Sequence, residues 1–228
     1  GPLDATAGAV AVVEFNDISG VERELARGDV ALVLLEPALT NIGIVLPEPG
    51  YHATLRRLTR DHGTLLCIDE THTICVGPGG ATREWSLEPD LLTVGKPIAG
   101  GVPMAAWAMT DGVASDAAEP VFGELSDVSG IGGTLSGNPL SLAAARATLS
   151  TSLRAEDYEY TVPLARRWAD GVAGVIDAAG LPWHVQQLGC RAEYWFCPPP
   201  RNGGEAAAAL DPQLEAYLHL AALNRGVL

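Results

Sequence analysis

Two residues that could do chemistry, Asp69 and Lys96, each follow a short apolar run. Residues 65–68 lead into Asp69, and residues 91–94 lead through Gly95 into Lys96. Such runs are typical of buried parallel strands that open into a site at their carboxyl ends. A lysine amine forms a Schiff base with an aldehyde, and a buried carboxylate keeps a pyridine nitrogen protonated. Either residue alone would usually be a solvated charge or a turn residue, but the pair indicates pyridoxal 5'-phosphate chemistry.

Further polar and glycine-rich stretches surround this pair. They are Glu36-Pro37 with Asn41 and Gly43, residues 69–73 (DETHT), Pro89-Asp90 through Gly95-Lys96 to Gly100-Gly101, and residues 133–139 (GTLSGNP). With these motifs the chain resembles the class III aminotransferases, pyridoxal-phosphate-dependent enzymes of fold type I. The resemblance is strongest to the branch around glutamate-1-semialdehyde 2,1-aminomutase and extends over nearly the whole chain.

The resemblance implies catalytic roles for Lys96 and Asp69. Lys96 would hold the cofactor as a Schiff base and move the proton of the substrate carbon. Asp69 would pair with the pyridinium nitrogen, a contact that favours the ionised carboxylate. The implied reaction moves an amino group on a small amino acid or amino aldehyde, as an aminotransferase or a 2,1-aminomutase does. Epimerisation through the same carbanion is an alternative.

Further residues are implied to contact or surround the cofactor. Thr71 would touch the ring, Asn41 would lie near the cofactor plane or the substrate, and Glu36 would orient its neighbours. His72 would reach the phenolic oxygen, although a packed histidine explains that position equally well. Thr134 lies in a glycine-flanked loop and would reach the phosphate of the other subunit of a homodimer; a simple helix-entry turn is compatible with this role.

Alternating apolar and periodic segments predict an α/β fold. Strands are expected near residues 9–15, 30–35, 64–68, 91–94, 104–109, 183–187 and 191–197. The strand at 30–35 should be central and buried on both faces, and the strand at 104–109 should be antiparallel. Helices are expected over residues 19–27, 51–62, 156–179, and from 139 and 212 onwards. Residues 112–133 are typical of a long mobile loop.

These elements predict two parts of the fold. Residues 1–150 would form part of the fold type I large domain, a mostly parallel sheet with helices on both faces, and residues 151–228 part of a smaller α/β C-terminal domain. The resemblance also implies that family members carry additional segments before the point matched by Gly1, including a loop that holds the cofactor phosphate. A truncated, non-catalytic fold kept as an interaction or dimerisation module is therefore an alternative, but the intact Asp69 and Lys96 favour catalysis for the parent protein.

Composition limits the partners. The chain has 228 residues, of which 47% are hydrophobic, and a formal net charge of −14. The absence of a basic footprint argues against nucleic acid or an acidic membrane surface as a partner. No run approaches the roughly 18 apolar residues of a membrane span. A cytoplasmic protein is expected, and the family resemblance implies a homodimer that acts on a small-molecule amino donor and acceptor.

The cysteines do not indicate a metal site. Cys67, Cys75, Cys190 and Cys197 lack C-x-x-C spacing, so free buried thiols are expected and no structural metal is predicted. The glycine-rich stretch at residues 77–80 lacks the lysine of a nucleotide-phosphate loop and is typical of a flexible turn.

Overall fold

A four-stranded sheet organises the first half of the chain. The computed structural model describes residues 7–122 and 132–227, and its sheet contains β1 (Leu32–Leu35), β2 (Leu65–Asp69), β3 (Leu91–Val94) and β4 (Ala106–Met109). The strands lie side by side in sequence order, with β1, β2 and β3 parallel and β4 antiparallel to β3. The predicted α/β fold with a mostly parallel sheet is confirmed, and so is the antiparallel direction of the strand before Thr110.

Helices precede, connect and follow these strands. The described residues contain α1 (Ile18–Leu25), α2 (Tyr51–Asp61), α3 (Gly80–Glu84), α4 (Asp111–Phe122), α5 (Pro139–Thr151), α6 (Ala155–Ala178), α7 (Gly203–Ala208) and α8 (Pro212–Leu223), with 3₁₀ turns at Thr73–Val76 and Lys96–Ala99. None of the helices in these ranges is long and apolar enough to cross a bilayer.

Helix α2 connects β1 to β2 and carries much of the core. Leu55 and Leu58 are three residues apart on one helix face, and both belong to a buried cluster with Leu25 of α1 and Leu66 of β2. Full burial of one leucine side chain contributes about 1.5–3 kcal/mol. Gly63, with a φ of 64°, follows the helix and allows the chain to turn into β2.

The prediction of a strand near residues 9–15 is wrong. Residues 10–14 have no regular structure, and Val12 is 93% exposed. A strand needs a neighbouring ladder to satisfy its backbone groups, and no described strand pairs with this segment. Phe15 is buried instead by packing on Tyr51, with ring centroids 4.9 Å apart.

Strand β1 is less buried than the sequence predicts. It occupies an outer position in the described sheet, where only β2 pairs with it. Exposed and half-buried residues alternate along it, and Leu34 is 62% exposed. The expectation of a central strand buried on both faces is therefore wrong within the described structure.

Two helices differ from the prediction. Helix α1 starts after Asp17, which caps it by accepting hydrogen bonds from the Gly20 N–H (2.9 Å) and the Ser19 hydroxyl (2.6 Å), so Ser19 is not the cap. Residues 111–122 form helix α4, although a loop was expected, because alanine-rich sequence such as Ala117-Ala118 has high helix propensity. The remainder of that expected loop, up to residue 131, lies outside the described residues.

The C-terminal part packs onto the first half of the chain. A hairpin of β5 (His184–Leu188) and β6 (Arg191–Trp195) packs on α6, and at its turn the Cys190 N–H donates to the Cys75 carbonyl oxygen at 3.0 Å. Gly189 is required there, since a Cβ would lie 2.1 Å from that oxygen. The expected smaller α/β domain does not form a separate unit within the described residues. The domain boundary near residue 150 stays a prediction.

All four cysteines are free thiols, as predicted. Cys67 is buried and Cys75 and Cys197 are half-buried, but Cys190 is exposed, so the expected burial is wrong for that residue. Its place in the tight hairpin turn explains the exposure.

Candidate active site

Asp69 and Lys96 stand at the carboxyl ends of neighbouring parallel strands. Asp69 ends β2 and lies in register with Thr93 of β3, three residues before Lys96. The Glu70 N–H donates to the Thr93 carbonyl oxygen at 2.8 Å, so the two strand ends are tied together. Because adjacent strands lie about 4.8 Å apart, the sheet places both residues at one edge.

The backbone at Lys96 adopts a left-handed conformation. Its φ is 48°, a value that costs a non-glycine residue roughly 1–2 kcal/mol. Buried Gly95 precedes it, and the 3₁₀ turn Lys96–Ala99 begins there. Within the described residues, the Lys96 amine makes no hydrogen bond or ion pair. The lysine is thus held on a strained, fixed backbone with its amine unused, as is common at functional sites.

One oxygen of the Asp69 carboxylate is already occupied. Oδ1 accepts a hydrogen bond from the Thr71 N–H at 2.8 Å, whereas Oδ2 has no such partner in the described structure. Thr71 Oγ1 lies 3.7 Å from the position that a Cβ on Gly95 would take. The loop after β2 therefore lies beside the residue that precedes Lys96, with one carboxylate oxygen available to a ligand.

Glu70 fixes the segment that follows Asp69. Its side chain is 1% exposed and accepts hydrogen bonds from the Thr73 hydroxyl (2.6 Å), the Ala81 N–H (3.1 Å) and the Thr82 N–H. Hydrogen bonds to a charged group contribute about 1.5–3 kcal/mol each. Gly80 makes the close approach possible, because a Cβ there would lie 2.4 Å from Glu70 Oε2. The loop that carries two of the predicted cofactor contacts is therefore rigidly anchored.

A cleft of about 310 Å³ opens beside Lys96, with a size that suits a small molecule. Thr71 and His72 line it, so three of the predicted site residues share one cavity. His72 Nδ1 lies 2.6 Å from Thr40 Oγ1, which also lies 2.6 Å from Glu36 Oε2. Asp69 stands at the neighbouring strand end and is not among the residues that line the cleft.

Asn41 and Thr134 are not among the residues that line this cleft. Both are exposed. Thr134 sits in a turn in which the Gly133 N–H donates to Ser136 Oγ at 2.9 Å, just before Asn138 caps α5 through the Ser141 N–H. The helix-entry turn is thus present, and a contact of either residue with cofactor stays a prediction.

The second half of the chain supplies lining residues that the sequence analysis missed. Tyr158 donates its hydroxyl to the Ile74 carbonyl oxygen at 2.8 Å, and Arg191 projects from β6. Burial raises the pKa of the Tyr158 hydroxyl to about 12 and the pKa of the Cys75 thiol to about 12. Both groups are therefore neutral around pH 7. The helical spacing of the apolar residues placed Tyr158 in a helix but gave it no functional role. No sequence pattern around Arg191 indicated a role for it.

A larger cavity, of about 640 Å³, lies beside α2 and Trp85. Each arginine that lines it already has a carboxylate partner; the pairs are Arg56–Asp90, Arg57–Asp61 and Arg60–Glu88. This cavity therefore offers no free cation for an anionic ligand, and the cleft beside Lys96 is the better candidate site.

The fold matches solved structures of pyridoxal-phosphate-dependent enzymes, the class that the pairing of Asp69 with Lys96 indicates. The chain superposes on a lysine-to-alanine variant of a glutamate-1-semialdehyde aminomutase from Pseudomonas aeruginosa, described in complex with PMP, with a TM-score of 0.91 and 47% identity. That match covers 96% of this chain and 49% of the other. The protein therefore has the architecture of fold type I aminotransferases.

Sequence comparison then gives the family. The model of aminotransferase class-III matches residues 5–162, and the chain belongs to this family. A glutamate-1-semialdehyde 2,1-aminomutase of Desulfitobacterium hafniense is 33% identical over 100% of the chain and 52% of its own length. Another, from Sorangium cellulosum, is 37% identical over 93% of the chain and 48% of its length. The chain spans about half the length of the curated relatives it matches.

Family membership confirms the resemblance read from the sequence. It also confirms, at the level of the family, the predicted class of pyridoxal-phosphate-dependent enzyme and the cofactor, pyridoxal 5'-phosphate. The residues present fit this group, because an unused amine and a carboxylate with one unused oxygen stand at adjacent strand ends.

Proposed function

We propose that the protein carrying this chain moves an amino group on a small amino acid or amino aldehyde, with Lys96 as the covalent anchor of pyridoxal 5'-phosphate. The observation that supports this most is the placement of Asp69 and Lys96 at the ends of β2 and β3. Aminotransfer and 2,1-aminomutation use the same groups on this chain, and both fall within the proposal.

The bound cofactor supplies an aldehyde that captures amines and a ring that accepts electrons from the substrate carbon. Asp69 would keep the pyridine nitrogen protonated, because an ionised carboxylate stabilises an adjacent cation and its Oδ2 is free of partners in the described structure. Once a substrate amine has displaced Lys96 from the aldehyde carbon, the released Lys96 amine would take the proton from the substrate carbon and later return it, which requires an amine without competing partners. Thr71 and His72 bound the cleft and orient what enters it.

The half-reaction is the sharpest test of this function. Purified protein loaded with pyridoxal 5'-phosphate is mixed with a panel of small amino acids and amino aldehydes and no separate amino acceptor, and the absorbance of the cofactor is recorded. At least one donor should shift the cofactor band, and Lys96→Ala should abolish the shift. The matched control is Arg57→Ala, a surface change that should preserve it. A loaded protein whose spectrum responds to no donor would contradict the proposal.

We also propose a homodimer in which Thr134 reaches the phosphate held by the partner subunit. The exposed position of this turn, outside the lining of its own cleft, supports that arrangement. Light scattering on the cofactor-loaded protein should give twice the mass of one chain, and a monomer would contradict it.

A further inference from the structure

A chain of hydrogen bonds connects His72 to two residues of the loop after β1. Thr40 Oγ1 lies 2.6 Å from Glu36 Oε2 and 2.6 Å from His72 Nδ1, while His72 Nδ1 and Glu36 Oε2 are 3.7 Å apart. Thr40 is 1% exposed, so water does not compete for its hydroxyl. The Thr40 hydroxyl therefore connects the imidazole to the carboxylate by two hydrogen bonds, each shorter than the direct distance between those two groups.

The number of protons decides the direction of both bonds. A threonine hydroxyl has one hydrogen to donate, and an ionised carboxylate can only accept. Thr40 must therefore donate to Glu36 and accept from His72, which requires a hydrogen on Nδ1. In the neutral imidazole the other nitrogen, Nε2, is then an acceptor.

We infer that Glu36 and Thr40 are positioning residues that lock His72 in the Nδ1–H tautomer and present Nε2 to the cleft as a hydrogen-bond acceptor. His72 lines the cleft beside Lys96, and Nε2 has no hydrogen-bond partner among the described residues. An acceptor in that place suits a ligand that brings a donor, such as an ammonium or hydroxyl group.

The C-terminal hairpin holds this arrangement in place. Arg191 Nη2 donates to the Thr40 carbonyl oxygen at 2.7 Å, and the Arg191 guanidinium is itself paired with Glu193. Leu39 and Val45 close the loop through two backbone hydrogen bonds of 3.0 Å. The main chain that carries the Thr40 side chain is therefore held from both sides.

The proton positions are directly observable. Neutron diffraction on deuterated crystals of the intact protein should show deuterium on His72 Nδ1 and none on Nε2. It should also place the deuterium of Thr40 Oγ1 on the side of Glu36. Deuterium on Nε2, with or without deuterium on Nδ1, or on the Glu36 carboxyl group, would overturn the inference. This measurement needs no activity, so it stands even if the proposed function fails.

Two variants of Thr40 test the role of this fixed His72 tautomer, a role that rests on the proposed function. Thr40→Val keeps the shape but removes the hydroxyl, and it should lower kcat/KM for an amino donor about tenfold, the effect of losing a contact worth about 1.4 kcal/mol. Thr40→Ser keeps the hydroxyl and should remain within about twofold of the native value. Equal losses in both variants, or none in Thr40→Val, would show that Thr40 serves packing alone.

Discussion

At the residue scale, the carboxylate of Asp69 has the proposed role of keeping the pyridine nitrogen protonated. Asp69→Asn removes the negative charge that holds the pyridine nitrogen protonated but keeps an oxygen for the Thr71 N–H. We expect a folded protein whose turnover falls by several orders of magnitude, because the electrons of the substrate carbon lose their acceptor. Circular dichroism checks the fold, and steady-state kinetics checks the turnover. Near-normal kcat would show that Asp69 is structural.

Residue types and local pattern could predict that Asp69 and Lys96 stand at strand ends, because each follows an apolar run that the sequence reveals. The resemblance to the family added Thr71 and His72, and the roles of all four residues stay predictions. Local pattern could not predict the lock on His72. Thr40 and His72 are 32 residues apart, and Thr40 and Arg191 are 151 apart. Contacts at such separations depend on how whole helices and strands pack, and local periodicity does not reveal that packing.

At the element scale, Asp90 joins α2 to the sheet. Its carboxylate accepts two hydrogen bonds of 2.7 Å from Arg56 and one of 2.8 Å from the Leu66 N–H. The hydrogen bonds from Arg56, and then that from Leu66, hold the pKa of Asp90 below its usual 3.8. A lowered carboxyl pKa stabilises the fold above the unfolded-state pKa, and this contribution disappears as pH falls through the folded-state value.

Asp90→Asn should therefore lower the free energy of unfolding by about 2 kcal/mol at neutral pH, since a charged partner is lost from a largely buried pair. The difference from the native protein should shrink as pH falls below about 4, because Asp90 then takes up a proton first in the unfolded state and, at lower pH, in the folded state. Urea denaturation at several pH values measures this. The control, Glu88→Gln, breaks an exposed pair and should cost less than about 1 kcal/mol. A pH-independent difference would contradict the account.

Strands and helices were predictable where a short stretch of sequence carried the pattern that forms them. The apolar runs gave β2 and β3, and the antiparallel direction of β4 followed from the short glycine-rich link before it. The expected strand near Ala9 failed because a strand exists only with a partner, and a β-like pattern does not reveal one. Helix α4 was missed because alanine and small polar residues suit both a helix and a loop.

At the scale of the whole molecule, both outer strands of the described sheet expose apolar side chains. Leu34 of β1 is 62% exposed and Trp107 of β4 is 47% exposed. Each strand has a described neighbour on one side alone. Unpaired strand edges and apolar patches promote association. Residues 1–228 produced alone should therefore elute above the mass of a monomer in size-exclusion chromatography with light scattering.

Leu34→Lys should reduce this association, because a charge on an edge strand opposes pairing. Tyr217→Lys replaces a residue that is 67% exposed on α8 and serves as the control. A stable monomer of the native sequence, or equal effects of the two variants, would contradict this prediction.

The central claim is that Lys96 anchors the cofactor, and one measurement tests it directly. The intact protein is loaded with pyridoxal 5'-phosphate, reduced with borohydride to make the linkage permanent, digested, and mapped by mass spectrometry. The account predicts a single cofactor label, on the peptide that contains Lys96. A label on another lysine, or no label on a protein that has bound the cofactor, would contradict it.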